Sequence, residues 1–362
     1  MVTISSGAVR AAAFLGLSAL LGILQATAGF CGEREAADAF NRGQYQEALK
    51  QWHPLADSGD AQAQFNIGIL YSQGKGVQKD EGIASYWWRK SAEGGDVQAA
   101  YGLGVLLLRN GKDNKDYSEA AMWLEKAADA NVPGAQYELG NLYAQGLGVA
   151  RDDRLALALW EKAARQGHAD AKYKIGSAYF NGSGFPKDIN KGTKIILDSA
   201  IDGSLIGQYN LGLMYFHGAG VVKNDVEAVK WWRLAGESGD ASSQRVLGFA
   251  YAKGDGLPID MSAAVSWWTK AADQGDVDAQ VALGYALFRG EGVRKSEEAA
   301  VQWWLRAAEK GNVIAQSNVG VAYHNGEGVE RDLQKAAHWF EMAASQGDDD
   351  AKFWLDRIRG AN

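Results

Sequence analysis

Cysteine is nearly absent from this chain. Cys31 is the only one in 362 residues, so no intramolecular disulfide cross-links the fold and stability must come from packing. Proline is scarce, at 4 residues, which excludes a collagen-like or proline-rich linker chain. Long apolar runs are missing too. The longest, residues 11–24, has 14 residues, short of the roughly 20 that a spanning helix needs, and later runs are broken by charge or glycine. With 37 Lys and Arg interleaved among 44 Asp and Glu, there is no basic stripe to neutralise phosphates, so nucleic acid is not an expected partner. The histidines stand in five different parts of the chain, with no H-x-x-x-H pair or Cys/His cluster, so no metal is expected.

The 14-residue run belongs to a recognisable leader. One positive charge, Arg10, precedes it, and Ala26 and Ala28 form an A-x-A cleavage site after it. The expectation is a signal peptide over residues 1–28, cut after Ala28, leaving a periplasmic or secreted chain with no membrane insertion. Phe30 stands before Cys31 where a lipobox needs a small residue. Loss of Arg10 takes the formal charge from -7 to -8. In a eukaryotic source the same leader would direct the chain to the endoplasmic-reticulum lumen, where Asn181-Gly182-Ser183 is an acceptor sequon.

Glycine is what the chain has in quantity, 45 residues, and its placement is periodic. A shift of 36 residues superimposes the sequence on itself without a gap from about residue 61 to residue 346. Gly68, Gly104, Gly140, Gly176, Gly212, Gly248, Gly284 and Gly320 share one slot. Each repeat has apolar or small residues at helical spacing in two blocks, such as AQAQFNIGILYSQ and DEGIASYWWRKSAEGG. A G-x-G stretch separates the blocks and a G-D turn follows, so the repeat reads as helix, turn, helix, turn. The G-x-G stretch follows a helix rather than a strand, which marks a positive-φ turn and not a phosphate cradle.

One such hairpin cannot bury its own apolar stripe, whereas stacked neighbours share a continuous core. The expected fold is therefore all-α, a right-handed α-solenoid of about nine stacked helix-turn-helix hairpins. A half-repeat or cap is expected over 29–60, eight repeats over 61–346, and a capping helix over 347–362. Two repeats depart from the pattern: residues 107–116 lack the paired glycines, and Ile195 and Ile196 stand where other repeats have tryptophan.

The pattern A-x-A-Q-x-x-L-G-x-x-Y-x-x-G-x-G-V, followed by A-x-x-W-W-x-K-A-A-x-x-G, resembles the Sel-one-like repeat, a branch of the tetratricopeptide superfamily. Gln316, Gly320, Tyr323, Gly326, Gly328, Ala336, Trp339 and Gly347 carry it in the last repeat. The resemblance implies a protein–protein interaction scaffold in signalling, envelope or exopolysaccharide assembly, or host contact. Some exported family members resemble penicillin-binding hydrolases, so the alternative is an exported hydrolase of β-lactam or cell-wall type on the same scaffold. Those relatives look disulfide-rich, unlike this chain, and the sequence offers no nucleophile with a neighbouring base. No catalytic residue and no cofactor is expected.

Tandem tryptophans, as at 87 and 88 or 231 and 232, recur in the second helix of the repeat. Successive helical residues point about 100° apart, so the pair cannot offer one flat stacking surface. One ring is expected to face its own hairpin and the other the next repeat. The slots that vary are on the first helix, where 62, 66, 69 and 73 and their equivalents form a stripe opposite the recurring positions. Together with slot 72 that stripe supplies Phe180, Asn181, Phe216, His217, Phe249, Lys253, Tyr285, Phe288, Arg289, His324 and Asn325. Aromatics mixed with basic and amide groups suit a hot-spot surface for a peptide segment or protein domain. In helical-hairpin solenoids the first helices line the concave face, where such a partner would bind.

Overall fold

A computed structural model describes residues 31–184 and 186–360; the leader expected over 1–28 lies outside them. The chain divides into two compact units, at Ile195 and Ile196, and each is built from consecutive helical hairpins. The first unit opens with α1 (Cys31–Asn41) and α2 (Tyr45–Asp57). Three hairpins follow: α3 (Ala61–Gln73) with α4 (Glu81–Glu93), α5 (Val97–Asn110) with α6 (Asn114–Asp129), and α7 (Pro133–Gln145) with α8 (Asp153–Arg165). After α9 (Ala169–Asn181), the boundary falls inside α10 (Ile189–Ile201). The second unit continues with α11 (Leu205–His217) and α12 (Asp225–Glu237), then α13 (Ala241–Lys253) and α14 (Met261–Asp273). It ends with α15 (Val277–Arg289) and α16 (Glu297–Glu309), α17 (Val313–Asn325) and α18 (Leu333–Ser345), and the single helix α19 (Asp349–Gly360). No strand occurs among the described residues, and the fold is an all-α solenoid of helical hairpins.

Short polar side chains start these helices. Asp60, Asp96 and Asp276 accept from the backbone N–H three residues on, at 2.7, 2.8 and 2.8 Å, which satisfies one of the donors a helix N-terminus leaves free. Glycine ends the first helices. Gly290 adopts φ 73° at the end of α15, and Gly292 repeats it at φ 71°. Gly292 also lies against the backbone of Met261 at the start of α14, where a Cβ would stand 2.3 Å from the carbonyl. The second glycine thus lets the turn of one hairpin rest on the hairpin before it. In the repeat without paired glycines, Gly111 has φ -57° and Asp113 caps a longer α6 directly.

The tryptophans divide as geometry requires, with one correction to the sequence reading. The ring in the second slot, whether its neighbour is tryptophan or, as at Leu159, not, lies on the first helix of its own hairpin, over the recurring glycine. Trp88, Trp160 and Trp304 donate their indole N–H to the carbonyls of Phe65, Tyr137 and Val281 at 3.1, 3.3 and 3.3 Å. The first ring faces the preceding repeat, not the next one. Trp87 meets His53 of α2 edge-on at 5.9 Å, and Trp267 enters the core formed by Val229, Trp232 and Leu247. A turn of about 100° separates the two slots, and stacking order sends that turn backwards along the chain. The outer surface of these rings is covered by a cation one turn on, Lys270 at 4.1 Å from Trp267 and Arg306 at 4.4 Å from Trp303.

Neighbouring hairpins are also joined by a recurring glutamine. Gln64, Gln244 and Gln316 reach back to the carbonyls of Ala56, Gly236 and Ala308 at 2.9, 2.9 and 3.2 Å. Each carbonyl is in the last turn of the previous second helix, where it also accepts from the backbone N–H of the turn glycine three residues on, Gly59, Gly239 or Gly311, at 3.1, 3.1 and 2.9 Å.

Candidate partner-binding face

Helix geometry places the variable stripe on one side of each first helix, and the two units use it differently. In the second unit the stripe ends on polar side chains in solvent. His217, Lys253, Arg289 and Asn325 are the last residues of α11, α13, α15 and α17, and all four are exposed. The aromatic members of the stripe are half-buried. Phe216 and Phe288 tilt against Trp232 and Trp304 at 5.6 and 5.5 Å, and Phe249 meets Trp268 edge-on at 5.3 Å. Tyr285 contacts Trp304 at 5.4 Å and donates its hydroxyl to Asn318 Oδ1 at 3.1 Å, which ties α15 to α17. His324 packs on Trp354 at 4.9 Å, and its Nδ1 stands 2.8 Å from Asn325 Oδ1. These half-buried rings are therefore anchored to the tryptophan core, and cations lie over three of them, Lys223 over Phe216 at 5.5 Å, Arg289 over Tyr285 at 5.9 Å and Lys295 over Phe288 at 5.7 Å.

The first unit closes its stripe. Asn66, Ile69, Val105, Glu138 and Asn141 are all buried, because neighbouring first helices approach closely enough to cover them. Gly134 permits one such approach: a Cβ there would stand 2.5 Å from the Tyr101 hydroxyl. At the end of this stripe, in α9, Phe180 is half-buried and Asn181 is exposed, donating to Ser177 Oγ at 3.2 Å.

The covered stripe holds an ionisable group that the sequence reading passed over. Glu138 is 3% exposed and accepts from Asn141 Nδ2 at 3.2 Å. Burial pushes its carboxyl up to about 7, against the pull of the Asn141 amide and the Lys174 charge. Asn141 Oδ1 is buried without a partner. Desolvation lowers the Lys174 ammonium and the His168 imidazole, the latter stacked on Tyr137 at 4.7 Å with its Nδ1 accepting from Ala171 N at 3.3 Å. The available signal was the slot sequence Asn66, Gly102, Glu138, Lys174, which places charges in successive first helices. Among the described residues, no group of three or more His, Cys, Asp and Glu is gathered as a metal site requires, and no helix is long and apolar enough to cross a membrane.

Comparison with known proteins follows the same repeat boundaries. The pattern described as Sel1 repeat matches residues 61–96, 97–132, 133–168, 169–194, 205–240, 241–276, 277–312 and 313–348. The fourth match stops at 194, where the isoleucine pair replaces tryptophan. A protective antigen present in uropathogenic Escherichia coli strains, with an SLR fold, is 33% identical over 86% of this chain and 67% of its own, at a TM-score of 0.58. The Sel1 repeat protein from Oxalobacter formigenes is 31% identical over 94% of this chain and 99% of its own, also at 0.58. Yeast Tom70, 13% identical over 97% of this chain and 70% of its own, shares the fold alone, at 0.54. No curated protein matches the chain.

Proposed function

The chain belongs to the Sel1 repeat family, whose members generally mediate protein–protein interaction, and we propose that it is an exported scaffold gripping a peptide segment or domain of an envelope protein without chemistry of its own. The observation that carries this reading is the division of labour within one helix. Packing slots repeat from hairpin to hairpin, Gly212, Gly248, Gly284 and Gly320 for example, whereas slot 66 becomes Asn210, Val246, Ala282 and Asn318. A stabilising position is free to repeat, but a surface that distinguishes one partner must vary along its length. The rings on that surface are fixed against the core, so ordering them on binding costs little rotamer entropy.

Export rests on the leader, Arg10 with the apolar run 11–24 and the small residues Ala26 and Ala28. The expected mature chain begins at Gly29 and is released by osmotic shock. Intact mass showing residues 1–28 retained, or a lipid on Cys31, would remove export from the proposal. For the scaffold itself, the mature chain immobilised as bait in envelope extract should retain a defined polypeptide partner. Turnover of a chromogenic β-lactam that persists through purification to homogeneity would instead favour a hydrolase.

A further inference from the structure

From Ile196 onward the chain carries 16 Lys and Arg against 23 Asp and Glu, yet its first helices are sorted against that balance. Across α11, α13, α15 and α17 the only acid is Asp278, while Arg245, Lys253 and Arg289 supply three permanent cations. Arg245 is consumed by structure, pairing with Asp276 at 3.1 Å and Asp278 at 3.8 Å. Lys253 and Arg289 are left at the exposed ends of neighbouring first helices. Arg289, its side chain 63% exposed, makes a loose contact with Glu291 at 3.7 Å and lies over the Tyr285 ring at 5.9 Å.

A base in the last turn also suits the helix dipole, but the dipole does not order charge here. The second helices α12, α14 and α16 end with Glu237, Asp273 and Glu309 at the same pole. Acid is nearly excluded from one layer of an acidic body, and Lys253 and Arg289 end the helices that carry the half-buried rings Phe249 and Phe288, with Lys295 over Phe288 at 5.7 Å.

We propose that this layer takes an extended, acidic segment of a partner polypeptide, its apolar side chains seated on those rings and its carboxylates meeting Lys253 and Arg289. The inference rests on the scaffold reading and narrows its partner. Packed helix axes lie about 8–10 Å apart, and the Arg245–Asp276 pair joins α13 to the N-cap of α15. A polyproline-type segment advances about 3.1 Å per residue with three residues per turn. It returns a side chain to the same face every ~9 Å, so the matching carboxylates fall three residues apart. Aromatic-lined grooves are suited to chains in that preformed conformation.

The test is selection from a phage-displayed library of random twelve-residue peptides on the purified mature chain. Anisotropy of the best labelled peptide then follows against wild type, Lys253→Glu/Arg289→Glu and Lys253→Gln/Arg289→Gln. The expected result is enrichment of Asp and Glu at a spacing of three. Affinity should fall at least tenfold for the charge-reversed pair and by less for the amide pair, and weaken as salt rises. Both side chains are exposed, so the melting temperature should be the same in all three proteins. Enriched peptides without acidic excess, or affinity indifferent to charge reversal, would overturn this inference while leaving a peptide-binding scaffold intact. If no peptide is enriched over the bare support, the peptide-binding reading fails together with it.

Discussion

Trp232 lies directly on Gly212: a methyl group added there would stand 2.3 Å from the indole nitrogen, which donates to the carbonyl of Tyr209 at 3.1 Å. Gly248 with Trp268 and Gly284 with Trp304 repeat the contact. The first expectation follows from this lock. Gly212→Ala should cost about 1–3 kcal/mol through overpacking, and Trp232→Ala about 3–5 kcal/mol through the cavity it leaves. The double variant should cost less than the two together, since removing the ring also removes the clash. Denaturant unfolding of the four proteins measures it, and strict additivity would refute the contact.

Asn131 is the one described non-glycine residue with positive φ, at 61°, in the slot where other repeats have glycine. Asn131→Gly should leave stability within about 0.5 kcal/mol, because glycine adopts this conformation without a Cβ clash. Asn131→Ala should cost about 1–2 kcal/mol, since alanine has neither that freedom nor a local polar side chain. Melting temperatures of the two variants would expose an inverted order.

The glutamine between hairpins offers a third check. Gln244 donates to Gly236 O at 2.9 Å and accepts from Gln274 at 2.8 Å. Gln244→Leu should cost about 1–3 kcal/mol by removing both of these bonds and leaving the Gln274 amide without its acceptor, while Gly236 O keeps its bond from Gly239 N. Units that contact only their neighbours should then separate, giving a broadened thermal transition. A sharp transition at the wild-type midpoint would argue against such coupling.

Glu138 makes stability depend on pH. Its folded value of about 7 lies above the ordinary 4.5, so the folded state keeps a proton that the unfolded chain has lost between those values. The stability this proton confers is present below about 4.5 and is lost as pH rises through about 7. Glu138→Gln cannot ionise and should remove that slope. Relative to wild type the variant should gain stability from pH 5 to pH 8, by at most about 3 kcal/mol. Urea unfolding at several pH values measures the difference; a gain that shrinks with rising pH would reverse the assigned direction.

The repeat, its helices and its caps were legible because each depends on residues within one period: Asp60 three residues before the N–H it caps, Gly68 twenty before Trp88. The direction of the first tryptophan was not. An angle of 100° separates Trp87 from Trp88 but does not say which neighbour lies on which side. The openness of the stripe was equally hidden, since it depends on how closely successive first helices approach. Gly134 under the Tyr101 hydroxyl brings two of them together and buries Glu138 and Asn141, while Lys253 and Arg289, at helix ends, stay in solvent. The variable stripe was therefore legible in the sequence, but not which part of it stays in solvent.

Two lysine variants separate the first helices from the second as the partner's seat. Lys253 and Lys270 are exposed lysines on the two helices of one hairpin, Lys253 ending the first helix and Lys270 covering Trp267 on the second. Titration of the captured partner against Lys253→Ala and Lys270→Ala should show the first weakened by more than about 1 kcal/mol, roughly fivefold. The second should bind within a factor of about two of wild type. Loss of affinity confined to Lys270→Ala would place the partner on the tryptophan-bearing helices and contradict a binding face built from the first.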